Sequence, residues 1–295
     1  MKRQAVVIAN RNSRNGARAF TEMTRLLRER GATIVDSVLA DDKRATCKAV
    51  RRHIRDGARL LAVCGGDGTL TAAVQHFAGR HCALLAVPAG TGNSFALGLG
   101  IESFEHAAEA LASGRERRID LGCVNGTYFA NFVMAGVSAD IARRTSRRLK
   151  RIAGPIAYGI AGIEPIFTHR PFAARLRWTG GDVTLDTHQV IVAVGRYFGH
   201  MPLAADARLA DGNLTVFVRD AQSTLDLIGT YLALLSGEQR HLSGARLWST
   251  PSAVRLAAKP KARVSVDGSS CGKTPVKIEV VPRALRVLVP PGAPA

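Results

Sequence analysis

The feature that most restricts how this chain can fold is the alternation of apolar strands with helical periodicities over its first 120 residues. Strand patterns at 4–9, 33–38, 60–64 and 83–87 are separated by helical patterns such as 17–30 and 44–55. Parallel neighbours need a long crossover, which a helix supplies, so this rhythm predicts an α/β domain with a parallel sheet. Ligands of such sheets bind beyond the carboxyl ends of the strands. Three turns fall at strand ends, at 10–16, 65–69 and 88–93. The topology therefore predicts that they converge.

The middle turn carries the most chemistry. The apolar run LAVCGGDGTL at 61–70 passes directly into Gly65-Gly66-Asp67-Gly68-Thr69. Consecutive glycines let the backbone turn sharply and approach a ligand. A helix opening near Thr69 would aim its first N–H groups at the same point, which suits phosphate. Asp67 is an acid inside this anion-attracting loop, and a magnesium ion between it and the phosphates would reconcile the two. The other reading is a tight strand-to-helix turn with Asp67 as N-cap.

From about residue 117 the pattern changes to short β-rich segments: 118–124, 128–134, 172–178, 183–185, 190–194, 214–218, 254–257, 263–266, 276–281 and 285–289. Turn signals at 180–182 and 211–213 separate them, and two helical stretches, 139–167 and 224–236, interrupt them. Many short strands predict an antiparallel sandwich. The expected fold class is thus α/β plus β. The expected domains are 1–120, α/β, and 121–295, a β-sandwich, with a cleft between them.

A chain of 295 residues with 46% hydrophobic and 22% charged residues has the makeup of a folded protein with more than one core. Lys and Arg number 41 against 23 Asp and Glu, a net charge of +18, which implies a partner rich in negative charge. Aromatic residues are only 5%, too few for a base-stacking platform, so nucleic acid is a poor candidate partner. The five cysteines are scattered, without a C-x-x-C pair, and point to a reducing compartment. The apolar run near the N-terminus is too short for a signal peptide, and the longest later one, 152–167, is broken by Gly and Pro. These features predict a cytoplasmic protein, peripherally associated with the inner face of the membrane.

The peripheral part of that expectation rests on one segment. Arg143, Arg144, Arg147, Arg148, Lys150 and Arg151 form a basic run followed at once by the apolar 152–158. Such a run is ordinarily a solvated helix face. Basic-then-apolar order also suits a surface that settles on anionic lipid.

With these residues in view, GGDGT at 65–69 followed by PAGTGNSFA at 88–96 resembles the diacylglycerol kinase catalytic-domain family, in its bacterial soluble lipid kinase branch, related to sphingosine and ceramide kinases. Ile119-Asp120-Leu121-Gly122, the Asp211-Gly212-Asn213-Leu214 turn, Val266-Asp267-Gly268 and the closing VPRALRVLVP at 281–290 match in the same order. The resemblance implies that 1–120 is an α/β nucleotide-binding domain and 121–295 a β-sandwich lipid-binding domain, with the C-terminal tail packing back on the first. It also implies an ATP-dependent lipid kinase that transfers the γ-phosphate to a hydroxyl of diacylglycerol or a related lipid alcohol. ATP and magnesium (Mg2+) would be its cofactors, and the partner a lipid substrate in an anionic membrane surface. A homodimer is one assembly compatible with it.

The expected nucleotide pocket is Asn10, Gly65, Gly66, Gly68, Thr69, Gly90, Thr91 and Asn93. By resemblance Asp67, Asp120 and Asp267 are the catalytic acids, the first two also magnesium ligands, with Asp267 the base for the lipid hydroxyl. Also by resemblance, Asp211 holds a structural magnesium with the backbone carbonyls of Arg208 and Asn213; the alternative is a plain Asp-Gly turn. Asp267-Gly268-Ser269 reads equally as a hairpin turn between 263–266 and 276–281. His200 falls in a loop that relatives place near the lipid.

This chain departs from the family at several points. Asn10-Arg11-Asn12-Ser13-Arg14 stands for NPxSG, Thr71-Ala72 for Asn-Glu, Ser94 for the Asp of GTxND, and Ser269 for the Glu of DGE. The rival readings are an NAD kinase-like enzyme of the same superfamily, which shares the glycine loop, and a non-catalytic nucleotide- or lipid-binding protein.

Overall fold

A computed structural model describes residues 3–144, 168–194, 197–198, 201–202, 210–221, 223–236, 238 and 241–293. The chain forms two compact units. The first contains Met1–Leu121 and Pro282–Ala295, the second Gly122–Ala207 and Asp211–Val281.

The first unit is the expected alternation: β1 (Gln4–Asn10), α1 (Gly16–Glu29), β2 (Thr33–Ala40), α2 (Lys43–Arg55), β3 (Leu60–Gly65), α3 (Asp67–Phe77), β4 (Ala83–Pro88), α4 (Ser94–Gly98), α5 (Phe104–Ser113) and the start of β5 (Arg115–Val124). Its parallel sheet runs β2-β1-β3-β4. Every residue of β3 and β4 is buried, as central strands covered by helices on both faces must be. Edge strand β2 instead alternates. α1 buries Ala19, Met23, Leu26 and Leu27, the i, i+3/i+4 stripe of an amphipathic helix. The Asp42 side chain caps α2 by accepting the Ala45 N–H at 2.7 Å, and Ser103 caps α5 through the His106 N–H at 3.1 Å.

The second unit contains β6 (Thr127–Phe129), β7 (Phe132–Gly136), α6 (Val137–Arg144), β8 (Phe172–Trp178), β9 (Gly181–Thr187), β10 (Gln189–Ala193), β11 (Tyr197–Phe198), β12 (Met201–Pro202), β13 (Leu214–Arg219), α7 (Thr224–Ser236), β14 (Ala245–Thr250), β15 (Val254–Lys259), β16 (Arg263–Val266), β17 (Ser269–Lys273) and β18 (Val276–Val289). β14-β13-β10-β7-β16-β17 form an antiparallel sheet, and β18-β15-β8-β9 a second antiparallel set. Val190, Val192, Val216 and Val264 from the first meet Ala174, Leu176, Leu256 and Ile278 from the other in one core. This is a β-sandwich, each inner face supplied by alternate residues. The chain crosses between units inside β5, after Leu121, and inside β18, after Val281.

The sequence pattern misses three details. Residues 128–134 form two strands, because the Ala130, Asn131 and Phe132 N–H groups turn toward the Asp267 carboxylate. Residues 276–281 and 285–289 form one strand, β18, in which Arg283 takes a left-handed φ of 51°. The Asp267-Gly268 turn joins β16 to an unforeseen β17, not to 276–281. Both turn residues have positive φ, 44° and 75°, as a two-residue hairpin of the right twist requires. No helix among the described residues is long and apolar enough to cross a membrane.

Candidate active site

The three strand-end turns of the first unit interlock. Asn10, at the end of β1, donates its Nδ2 to Thr69 Oγ1 at 2.8 Å, and both residues are buried. Its Oδ1 accepts the Asn12 N–H at 3.0 Å, fixing the loop after β1. Gly66 and Gly90 bring the second and third turns together backbone to backbone. A Cβ on Gly90 would lie 2.4 Å from the Gly66 Cα, and one on Gly66 would lie 2.9 Å from the Gly90 Cα. A Cβ on Gly65 would strike Thr69 Cβ at 2.6 Å. Gly68 is different: it is exposed, and a Cβ there meets nothing within 4 Å. Three of the four glycines thus serve packing, and Gly68 faces open space at the first turn of α3.

Asn93 holds the third turn. Its Oδ1 accepts the Gly90 N–H at 2.8 Å and its Nδ2 donates to the Gly90 carbonyl at 3.3 Å, while its own φ is 52°. Thr91 is half-buried within the same turn. Asn93 occupies the N-cap position of α4 but gives it no side-chain cap. Asp67 does so instead: its Oδ1 accepts the Phe95 N–H at 3.0 Å. In α3 the N-cap is Gly66 and Asp67 is the first helical residue, so the acid caps the neighbouring helix. Burial pushes the Asp67 carboxyl up, and the backbone N–H groups of Phe95, Ser94, Asn93 and Asp67 itself pull it down without cancelling that effect. Oδ2 lies toward Gly92, 3.0 Å from where a Cβ there would begin.

Asp120 and Asp267 are also engaged with backbone. Asp120, buried on β5, accepts the Arg283 N–H at 2.7 Å, which holds the left-handed turn in β18. Asp267, buried in the second unit, accepts three N–H groups: Ala130 at 3.0 Å on Oδ2, Asn131 at 3.1 Å and Phe132 at 2.9 Å on Oδ1. Each of the three acids singled out in the sequence therefore pins a backbone segment remote from it in the chain. Sequence alone carries no signal for those partners; only the Asp-Gly dipeptide at 267–268 marks a turn.

Asp211 forms an Asx turn, its Oδ1 accepting the Asn213 N–H at 2.9 Å. Among the described residues no group of three or more His, Cys, Asp or Glu gathers around a point. Arg208 and His200 lie outside the described residues, as do Arg147, Arg148, Lys150 and Arg151. Arg143 and Arg144 are described only as the backbone end of α6.

The glycine loop offers one carboxylate, Asp67, whose Oδ2 lies with the Ser94 hydroxyl within 4 Å of where a Cβ on Gly92 would be. Hard oxygens of this kind, supplemented by phosphate and water, are what magnesium takes. The loop residues fit such an ion.

A family model described as the diacylglycerol kinase catalytic domain matches residues 4–124, and one described as the YegS C-terminal NAD kinase beta sandwich-like domain matches residues 131–289. Among curated proteins, "Probable lipid kinase YegS-like" of Pseudomonas aeruginosa (strain UCBPP-PA14) is 31% identical over 277 residues, covering 90% of this chain and 88% of that protein. "Diacylglycerol kinase" of Bacillus subtilis (strain 168) is 28% identical over 240 residues, covering 78% of each. A crystal structure of a diacylglycerol kinase from Bacillus anthracis str. Sterne superposes with a TM-score of 0.73 at 16% identity, covering 98% of this chain and 97% of that one.

Proposed function

Because the chain belongs to the diacylglycerol kinase catalytic-domain family and is a lipid kinase, we propose that it transfers the γ-phosphate of ATP to a hydroxyl of diacylglycerol or a related lipid alcohol. The observation that carries this reading is the interlocking of the turns at Asn10, Gly65–Thr69 and Gly90–Asn93 at the ends of β1, β3 and β4. Phosphoryl transfer asks a protein for positioning and charge stabilisation more than for covalent chemistry. Backbone-rich turns beside a helix N-terminus supply both.

In this reading Gly68 lets the phosphates approach the first turn of α3, where no side chain intervenes. Thr69 holds Asn10, and Asn93 holds Gly90, so the loop is shaped before nucleotide arrives. A magnesium ion held by Asp67 through Oδ2 would neutralise phosphate charge. Asp267 acts as base for the lipid hydroxyl, receiving its proton as the bond to phosphorus forms. Asp120 positions the turn at Arg283. Asp211 and the neighbouring carbonyls form a separate structural cation site. The acceptor lives in a bilayer, so the protein works as a peripheral membrane enzyme on the cytoplasmic side, and the basic run at 143–151 contributes to docking.

The test is incubation with labelled ATP and magnesium over a panel of diacylglycerol, sphingoid base, ceramide and NAD. A labelled lipid phosphate is the expected product. Phosphorylation of NAD alone would replace the lipid reading with the NAD kinase-like one, and nucleotide binding without any product would make the protein a non-catalytic binder.

A further inference from the structure

The outer face of the sandwich carries a row of cations that the phosphoryl-transfer site does not use. In β8 the alternation that buries Phe172, Ala174 and Leu176 in the core turns Arg175 and Arg177 outward. The same alternation exposes Arg255 on β15 and Lys277 on β18. Register then sets Arg177 directly opposite Arg255, and Arg255 directly opposite Lys277. Three cations stand side by side on adjacent strands, spaced by about 4.8 Å of strand separation. Directly opposed like charges on a sheet are destabilising. Part of this is relieved by Asp182 on β9, which stands directly opposite Arg177 and feels its charge, and by Glu279 on β18. Arg175 takes Asp182 at 2.6 Å and Lys277 takes Glu279 at 2.6 Å, while Arg177 and Arg255 form no ion pair among the described residues. All four cations line a cleft of about 340 Å³ with Ala257 and Pro275, and among the described residues no acidic side chain lines it.

We propose that this face binds the phosphates of anionic phospholipid headgroups and so seats the sandwich on a membrane surface. Guanidinium forks match phosphate oxygens in pairs, and the two neighbouring arginines, Arg177 and Arg255, are the ones without an ion pair among the described residues. The row crosses three strands, a width of about 10 Å that suits neighbouring headgroups better than one isolated phosphate. Among the described residues no aromatic ring lines the cleft, so a nucleobase finds nothing there to stack on. The inference rests on the lipid kinase reading, which puts the acceptor in a bilayer, and it assigns a surface outside the 143–151 run.

The experiment is co-sedimentation with phosphatidylcholine vesicles, with and without phosphatidylglycerol, at low and high salt. Wild-type protein is expected to favour the phosphatidylglycerol vesicles at low salt. Arg177→Gln/Arg255→Gln should bind them about 30-fold more weakly, each basic residue at an anionic surface contributing about fivefold. Arg177→Lys/Arg255→Lys, which keeps the charge but loses the guanidinium forks, should bind between wild type and the Gln variant. Phosphorylation of a short-chain, water-soluble diacylglycerol on the same preparations should be unchanged, which shows that the variants are folded. Equal sedimentation of the Gln variant and wild type would overturn the proposal. So would displacement from vesicles by millimolar inorganic phosphate, which marks a free-phosphate site, or loss of duplex DNA binding with vesicle binding kept. Failure of every preparation to phosphorylate lipid would instead count against the kinase reading, while a sedimentation loss confined to the Gln variant would still support the site.

Discussion

Asp67 Oδ1 and the Phe95 N–H are 3.0 Å apart, so the acid that opens α3 also closes the N-terminus of α4. α4 has only five residues and no cap from its own N-cap side chain. Its position beside the glycine loop therefore depends on this bond. Asp67→Ala should cost about 0.5–2 kcal/mol, the usual range for losing a cap. Asp67→Asn keeps an acceptor oxygen and should cost less, while losing turnover through its missing charge. Urea denaturation beside a kinase assay separates the two effects, and turnover close to wild type in the Asn variant would remove Asp67 from the mechanism.

The glycines of the loop should divide by substitution. Gly90→Ala drives a Cβ to within 2.4 Å of the Gly66 backbone, which has no flexible side chain to yield. Overpacking of this kind costs about 1–3 kcal/mol. Gly68→Ala meets open space in a helical first turn and should be neutral or stabilising, by up to about 1 kcal/mol. It should nonetheless weaken nucleotide binding, read by calorimetric titration, because its methyl group occupies the line of phosphate approach. Unchanged nucleotide affinity in Gly68→Ala would place the phosphates elsewhere.

Asp267 cannot be neutralised without structural cost. Both its oxygens accept backbone N–H groups, so an Asn side chain must turn its own NH2 toward one of these donors. Leaving a buried N–H unsatisfied costs about 1–3 kcal/mol. Asp267→Asn should accordingly shift the urea midpoint downward as well as reduce turnover. Asp211→Ala, at an exposed Asx turn, should move the midpoint far less in metal-free buffer, and added magnesium should raise the wild-type midpoint but not the variant's if Asp211 holds a cation.

Acid should destabilise the second unit through a histidine pair. His188 is buried, and its Nδ1 lies 3.2 Å from His169 Nδ1. Burial lowers both histidines, and the charge of His188 lowers His169 further. Asp140, itself paired with Arg263, opposes this at His169. Asp226, paired with Arg219, and the backbone at Ser223 oppose it at His188. With folded values below the unfolded one, the native state binds fewer protons than the unfolded chain. Stability is therefore present above about pH 6.5 and declines as pH falls below it. His169→Gln should make that decline shallower, measured as the urea midpoint between neutral and mildly acidic pH. A slope identical to wild type would assign the acid sensitivity to other groups.

The Asn10–Thr69 bond should appear as an energetic coupling. A double-mutant cycle with Asn10→Ala and Thr69→Val is expected to give about 1 kcal/mol, as for a buried neutral hydrogen bond. Additive effects would mean that the first two turns are shaped independently.

The local elements are legible from residue spacing along the chain. Period-3.6 and period-2 patterns place α1, α2, β3, β4, β8 and β16 within a residue or two, because amphipathic spacing is a property of neighbouring side chains. The sequence also locates the glycine loop and the turns that meet it, since parallel topology sends strand ends to one edge. What the acids hold follows from contacts between segments remote in the chain. Asp67 reaches Phe95, Asp120 reaches Arg283, and Asp267 reaches 130–132, none of them a partner within its own helix or strand. The same holds for Gly66 against Gly90, and for Arg177, Arg255 and Lys277, which become neighbours only through strand register. Spacing along a chain records which face a residue takes, whereas its partner is fixed by which remote backbone the core brings within about 3 Å of it.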